Sequence, residues 1–177
     1  MLTRRRWLWL LGIATVALFV LLAVVDGQIK ESGGPGIVPF ELAGSTERAT
    51  EILGEWGERG RDSARLSLGL DFLFLIAYGA FFWLAVLAIR DAARRRGWNR
   101  YARPGAAVAL LAILAAACDT SENIGLLVVI NGHADSAAPT VATGFAIAKF
   151  VTLGVAQLYL LAGLAALAVD RLRAPGR

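Results

Sequence analysis

The sequence contains almost none of the side chains that usually hold metals and redox cofactors. Among its 177 residues there is one cysteine and one histidine. The single cysteine, Cys118, excludes an intramolecular disulfide, a c-type haem and a cysteine-ligated zinc site, and the single histidine, His133, argues against a zinc site made only of protein ligands. We therefore predict no metal centre, and the sequence identifies no cofactor.

Charged residues are also scarce. They make up 18% of the chain, against 57% hydrophobic residues, which is too apolar for a soluble domain. Four apolar runs are each long enough, at about 20 residues, to cross the ~30 Å hydrocarbon core of a bilayer as an α-helix. They cover about residues 7–25, 66–89, 105–130 and 141–169. The sequence thus predicts an all-α integral membrane protein, a four-transmembrane-helix bundle that forms one membrane domain over residues 1–177.

The first run has two alternative interpretations as a targeting segment. A basic start followed by an apolar core is typical of a signal peptide, and Thr3-Arg4-Arg5 resembles a twin-arginine start. The core is long for a signal peptide, however, and the residues around Val25 form a poor cleavage site. We therefore favour a retained first span.

Lysine and arginine alternate between the two sides of the predicted spans. Three precede the first span, six separate the second from the third and three follow the fourth, whereas the connection after the third span has none. Segment 26–65 holds five, but its eight acids make it net negative by three. The positive-inside rule then predicts a multi-pass protein of the cytoplasmic (plasma) membrane with both termini in the cytoplasm. The same rule accounts for the arginines without a nucleic-acid partner, and we expect none.

Segment 26–65 is the one long polar stretch, and it contains one predicted helix. Ser45 or Thr46 is a suitable N-cap, and apolar residues then recur at i, i+3, i+4 and i+7. These residues are Ala49, Ile52, Leu53 and Trp56. The spacing predicts an external amphipathic helix between the first and second spans, and we favour capping of the bundle over binding of a partner as its role.

Small residues recur every four positions in the fourth span: Gly144, Ala148, Thr152 and Ala156. A ridge of small side chains lets two helices approach closely. We therefore predict that this ridge packs against another span.

Several polar residues lie within the predicted spans. They are Asp71 and Tyr78 in the second span, Asp119, Glu122 and Asn123 in the third, and Lys149 in the fourth. A charged side chain at the bilayer centre costs about 2.5–3.5 kcal/mol, so such residues normally face the bundle interior and pair. Helix rise places the charged groups roughly 8 to 17 Å below the outer surface. We predict that these residues form a buried polar network in the outer half of the bundle.

Two interpretations of this network stay open. In the structural one, Lys149 pairs with Asp71 or Glu122, the remaining acid is protonated, and the network fixes helix register. In the functional one, the network is a ligand site, because one lysine cannot neutralise three carboxylates. Glu41 is a further candidate at the mouth of such a pocket, although an exposed loop acid is the favoured interpretation of that residue.

Three functions from different classes are compatible with this pattern. The preferred one is binding or transport of a small cation, a proton or an amphiphilic ligand. The alternative is an intramembrane enzyme acting on a lipid or isoprenoid, in which the carboxyls hold Mg²⁺ or serve as acid and base. A further alternative is a structural or assembly subunit of a membrane complex. Membrane lipid is an expected partner in each case, with a small-molecule or lipid ligand in the first two, and a homo-oligomer is compatible with all three.

Four spans with carboxylates inside the membrane resemble the architecture of the sterol-isomerase and sigma-2 receptor group. No motif of that group matches residue by residue. The resemblance is therefore one of architecture and transfers no function.

Overall fold

The computed structural model describes residues 3–173. Within that range the chain forms helices and no strand: α1 Arg4–Glu31, α2 Ile37–Glu41, α3 Thr46–Arg95, α4 Asn99–Ala102, α5 Gly105–Ile130 and α6 Ala138–Arg173. Four helical stretches, namely α1, α3, α6 and the one that ends with α5, are long and apolar enough to cross a membrane. The predicted all-α fold with four long apolar helices is confirmed, and these helices indicate a multi-pass membrane protein.

The helices extend beyond the predicted spans, since the prediction followed only the apolar residues. α1 continues through Asp26 and Lys30, whose side chains form an ion pair of 2.6 Å one turn apart. α3 begins at Thr46 and includes the residues of the predicted amphipathic helix as well as those of the second span. Helical structure therefore continues into the polar flanks of the apolar runs.

The four long helices run alternately in opposite directions. α1 packs against α3, α3 packs against α5 and α6, and α5 packs against α6, whereas α1 and α6 have no extensive contact with each other. At one end, here called the loop end, lie α2 and the connections from α1 to α3 and from α5 to α6. At the opposite end, here called the arginine end, lie the start of α1, the short helix α4 and the end of α6. This packing leaves a cleft between α1 and α6.

Gly57 divides α3 into an arm, residues 46–56, and a long helix, residues 58–95. Its φ of 58° and ψ of −163° lie outside the helical region, in a conformation that is essentially restricted to glycine. The Ser45 hydroxyl caps the arm by accepting a hydrogen bond from the Arg48 amide at 3.3 Å. The arm contributes to one buried apolar cluster with α2 and α5, and so closes the loop end. Its buried apolar residues are Ala49, Ile52, Leu53 and Trp56.

Ion pairs join the helices at the arginine end. Arg4 Nη1 of α1 lies 2.8 Å from Asp91 Oδ2 of α3, and Arg96 Nε of the α3 C-cap lies 2.9 Å from Asp170 Oδ2 of α6. Between this end and the middle of the bundle, the interior is filled by an apolar cluster. Its buried members are Val86, Val108, Ala109 and Ala156. The interior is therefore apolar toward the arginine end, whereas the buried charged side chains lie in the half that includes the loop end.

The predicted small-residue ridge of α6 lies only partly on the packed face. Ala156 is fully buried, but Gly144 is exposed. The buried residues of α6 are Pro139, Ala142, Ala146, Lys149, Ala156 and Gly163. Positions spaced by four drift about 40° per step around a helix of 3.6 residues per turn, so a four-residue repeat leaves the packed face within a few turns.

Candidate functional site

A cavity of about 310 Å³ lies in the cleft between α1 and α6. α3 forms its back wall, and α2 covers it toward the loop end. Its volume is at the lower end of those that hold small molecules, which begin at about 300 Å³. Aromatic side chains of Phe19, Phe74 and Phe150 form part of its walls. Its polar lining residues are Asp26, Glu41, Ser67, Asp71, Tyr78, Asp119, Asn123 and Lys149.

Lys149 lies at the centre of a buried ionic network. Its Nζ lies 2.8 Å from Glu122 Oε2, 3.0 Å from Asp119 Oδ1 and 3.4 Å from Glu41 Oε2. The lysine comes from the packed face of α6, two of the carboxylates come from α5, and the third comes from α2. The structure thus brings the predicted polar residues of α5 and α6 together and adds Glu41 to them.

Glu122 is the most deeply buried of these acids, with 0% of its surface exposed. Neither of its carboxylate oxygens has a hydrogen-bond partner within residues 3–173, so the contact with Lys149 is an ion pair without hydrogen-bond geometry. A buried charge that lacks hydrogen bonds depends on its ionic partner for compensation. A negative charge on Glu122 therefore depends on Lys149 for its compensation.

Asp71 lies apart from this network. Asn123 Nδ2 donates a hydrogen bond to Asp71 Oδ2 at 2.7 Å. Of the two predicted partners of Lys149, Glu122 is in contact and Asp71 is not, because the lysine points toward α2 and α5. Across the described chain, Asp71 forms no ion pair with a basic side chain. Asp71 therefore presents to the cavity a carboxyl group that no cation neutralises.

Asp119 has a partner at each oxygen. Its Oδ1 accepts a hydrogen bond from Lys149 Nζ at 3.0 Å, and its Oδ2 accepts one from the Tyr78 hydroxyl at 2.8 Å. These bonds join α3, α5 and α6 through buried side chains, an arrangement that fixes their relative positions. Asp119 and Tyr78 thus connect three helices, whereas Asp71 lines the cavity with a single hydrogen bond from Asn123.

Glu41 is buried, with 8% of its surface exposed, and the favoured interpretation of an exposed loop acid is wrong. Two side chains outside α2 hold that helix over the cavity. Asp26 Oδ1 accepts a hydrogen bond from the Ile37 amide at 2.7 Å, and Thr143 Oγ1 donates one to the Glu41 carbonyl at 2.8 Å. Neither Asp26 nor Thr143 has a distinctive signal in the sequence, since acids at the ends of spans and threonines within helices are both common.

The charges of this interior do not balance. Apart from Asp26, which pairs with Lys30, four carboxyl groups share it with one ammonium group: Glu41, Asp71, Asp119 and Glu122 with Lys149. Uncompensated charge is costly away from water, so the interior either keeps protons on some of these carboxyls or accepts a further cation. No group of three or more His, Cys, Asp or Glu side chains in residues 3–173 is arranged to hold a metal ion.

Comparisons of the chain with protein-family models, with curated proteins and with solved structures found no significant match.

Proposed function

We propose that this chain is a multi-pass protein of the cytoplasmic membrane that binds a small organic cation in the cavity between α1 and α6. In this proposal the arginine end and both termini face the cytoplasm, in agreement with the positive-inside rule. The loop end, with α2 and the amphipathic arm of residues 46–56, is then external. Transport of the same cation or of a proton would require the cavity to open at both ends.

The observation that carries the proposal is the position of Asp71. It lines the cavity, and within residues 3–173 it forms no ion pair, while Lys149 already contacts three other carboxylates. A cation beside Asp71 would reduce the excess negative charge, and the attraction is stronger in a cavity of low dielectric constant than in water. Phe74 provides an aromatic ring in the same cavity, and such rings also attract cations, whereas the Phe150 ring already lies 4.8 Å from Lys149 Nζ.

The test is binding of butylamine, which is protonated at neutral pH, to the purified protein in lipid nanodiscs, measured by calorimetry. Butanol, which has a similar size and no charge, is the matched control ligand. Asp71→Asn keeps the size of the side chain and removes its charge, so we expect it to weaken butylamine binding about tenfold, which corresponds to about 1.4 kcal/mol. Glu51→Gln, in the exposed part of the arm, should bind as the wild type does. Equal binding of butylamine and butanol, or full affinity in Asp71→Asn, would contradict the proposal.

The other two functions stay hypotheses. A Mg²⁺-dependent enzyme acting on a lipid or isoprenoid would need Asp119 and Glu122 as metal ligands, but Lys149 contacts both. We therefore rank it second, and its test is turnover of a lipid extract with and without Mg²⁺. An assembly subunit would copurify with a partner in mild detergent.

A further inference from the structure

The cavity has its rim on the side of the bundle. Phe19 of α1 and Phe150 of α6 both line it, yet they are 61% and 44% exposed on the outer surface. Side chains that border a cavity and also face outward mark its opening. Because α1 and α6 have no extensive contact with each other, this opening lies between them. In the proposed orientation it faces the hydrocarbon of the bilayer.

Toward the loop end α2 lies over the cavity, and its Val38 lines the cavity and is 47% exposed, so the rim also includes one residue of this helix. The Asp26 and Thr143 side chains hold this helix at its two ends, and Thr143 Oγ1 also accepts a hydrogen bond from the Gly44 amide at 2.9 Å. The Glu41–Lys149 ion pair lies beneath it. A ligand that came from water at the loop end would have to displace these contacts, whereas access from the side requires none of them to break.

The lining changes from polar to apolar along the cleft. On α3, Asp71 lies about one turn nearer the loop end than Phe74, and on α6, Lys149 lies about one turn nearer the loop end than Leu153. Tyr78 and Asp119 extend the polar lining to a similar depth from α3 and α5, but in these two pairs the charged residue lies toward the loop end and the apolar residue toward the middle of the bundle. This is the polarity of an amphiphile in a bilayer leaflet, with its headgroup outward and its chain inward.

Asp71 also lies at a suitable depth for a headgroup. Arg65 of α3 donates a hydrogen bond to the Ile130 carbonyl, where α5 ends at the loop end. Asp71 follows Arg65 by about six residues, which places it about 9 Å along the helix toward the middle of the bundle. A positive group there would remain close to the polar surface of the outer leaflet while its chain reached the hydrocarbon.

We infer that the ligand is a single-chain amphiphile with a protonated amine, which enters sideways from the outer leaflet between α1 and α6. Its amine lies at Asp71, and its chain lies along the apolar walls formed by Phe19, Leu22, Phe74 and Leu153. This inference rests on the proposed function and adds to it the class of ligand and its route.

The test compares dodecylamine with butylamine in nanodiscs, with dodecylamine expressed per mole of lipid because its chain partitions into the bilayer. Ala23 of α1 lines the cavity at the cleft, whereas Ala17 is exposed on the same helix and does not line it. We expect Ala23→Trp to weaken dodecylamine binding about tenfold by filling the space of the chain. Its butylamine affinity should fall less than its dodecylamine affinity, because the short chain occupies less of the cleft, and Ala17→Trp should leave both affinities unchanged.

The outcomes separate this inference from the proposed function. Full dodecylamine affinity in Ala23→Trp would overturn the placement of the chain in the cleft, on which the sideways route depends, and an equal loss of both amines would show that the cleft does not distinguish the chain from the amine. Binding of butylamine would still support the proposed function in the first case. If neither amine binds to the wild-type protein, the proposed function and the inference both fail. If Ala23→Trp does not fold, Leu22→Trp narrows the same cleft from α1 and takes its place.

Discussion

Lys149 Nζ lies 2.8 Å from Glu122 Oε2, and neither oxygen of that carboxylate has a hydrogen-bond partner in the described part of the chain. Lys149 therefore contacts three carboxylates at once, and it compensates the charge of Glu122 without a hydrogen bond. Removing it would leave buried negative charge on α5 without compensation. A substitution of Lys149 should therefore destabilise the bundle.

We expect Lys149→Met to lower the free energy of unfolding by about 3–5 kcal/mol, because it breaks buried ion pairs and leaves their partners uncompensated. The measurement is denaturant unfolding in detergent micelles. Adding Glu122→Gln to this variant should restore part of the loss, because it removes one of the charges left behind. Arg48→Met, which removes an exposed ion pair with Glu51, is the control and should cost less than about 1 kcal/mol. A similar loss of unfolding free energy in Lys149→Met and Arg48→Met would contradict the central role of Lys149.

We expect Gly57→Ala and Gly54→Ala to change stability in opposite directions. Neither glycine has an atom within 4 Å of a Cβ added to it, so steric contacts do not distinguish them. Gly57 has a φ of 58°, which an alanine adopts only at a cost of about 1–3 kcal/mol. Gly54 lies within the helical arm, where alanine is favoured by up to about 1 kcal/mol. Thermal unfolding of the two variants checks this, and a stabilised Gly57→Ala would show that the arm does not bend at this residue.

The contact between α1 and α3 at the arginine end should weaken in acid. The hydrogen bond from Arg4 holds the pKa of Asp91 below its ordinary value, and Arg90 acts in the same direction. A carboxyl group with a lowered pKa in the folded state stabilises the fold above its ordinary pKa of about 3.9, and this contribution is lost as the pH falls through the lowered value. Because Asp91 is partly exposed, we expect the effect to be under about 1 kcal/mol.

The measurement for Asp91 is the free energy of unfolding between pH 7 and pH 3. In Asp91→Asn, the free energy of unfolding should decrease less than in the wild type as the pH falls toward 3. Asp135→Asn, in the exposed connection between α5 and α6, should keep the wild-type slope. Identical pH profiles for the wild type and Asp91→Asn would argue against a contribution of this contact to stability.

The proposed orientation predicts which ends of the bundle a membrane-impermeant maleimide can label. Cys118 is buried, and a Cys118→Ala background leaves no native thiol. In that background, Asp135→Cys at the loop end should react in intact cells, whereas Arg100→Cys at the arginine end should react only after the membrane is permeabilised. Labelling in the reverse order would place the termini outside and contradict the proposed topology.

The four long helices were predictable because their signal is local and repeated. A run of about 20 apolar residues has few alternatives to a membrane-spanning helix, since backbone groups in hydrocarbon must be satisfied within the segment. The ends of the helices were less predictable. Because they are charged, Asp26 and Lys30 were predicted to lie in the connection after the first span, yet both belong to α1 and form an ion pair within it.

The site was predictable as a set of residues but not as a set of contacts. The depths of Lys149 and Glu122 along their antiparallel spans predicted that the two residues lie near each other, and they do. Which acid the lysine reaches, however, depends on how α6 is rotated about its own axis. Rotation depends on packing, and the four-residue ridge that included Gly144 gave a misleading indication of it. The burial of Glu41 was harder to predict, because the hydrogen bonds that hold α2 join residues that are distant in the sequence. Asp26 and Ile37 are 11 positions apart, and Thr143 and Glu41 are 102 positions apart.

The apolar cluster of Val86, Val108, Ala109 and Ala156 has a kinetic consequence. Because it fills the interior between the proposed site and the arginine end, a ligand would leave by the same opening through which it arrived. Association and dissociation would then cross the same barrier. A change confined to that opening would multiply both rate constants by one factor and leave Kd unaltered. The width of the opening would thus determine how long a ligand stays, while the contacts of its amine and chain inside the cavity determine how much is bound.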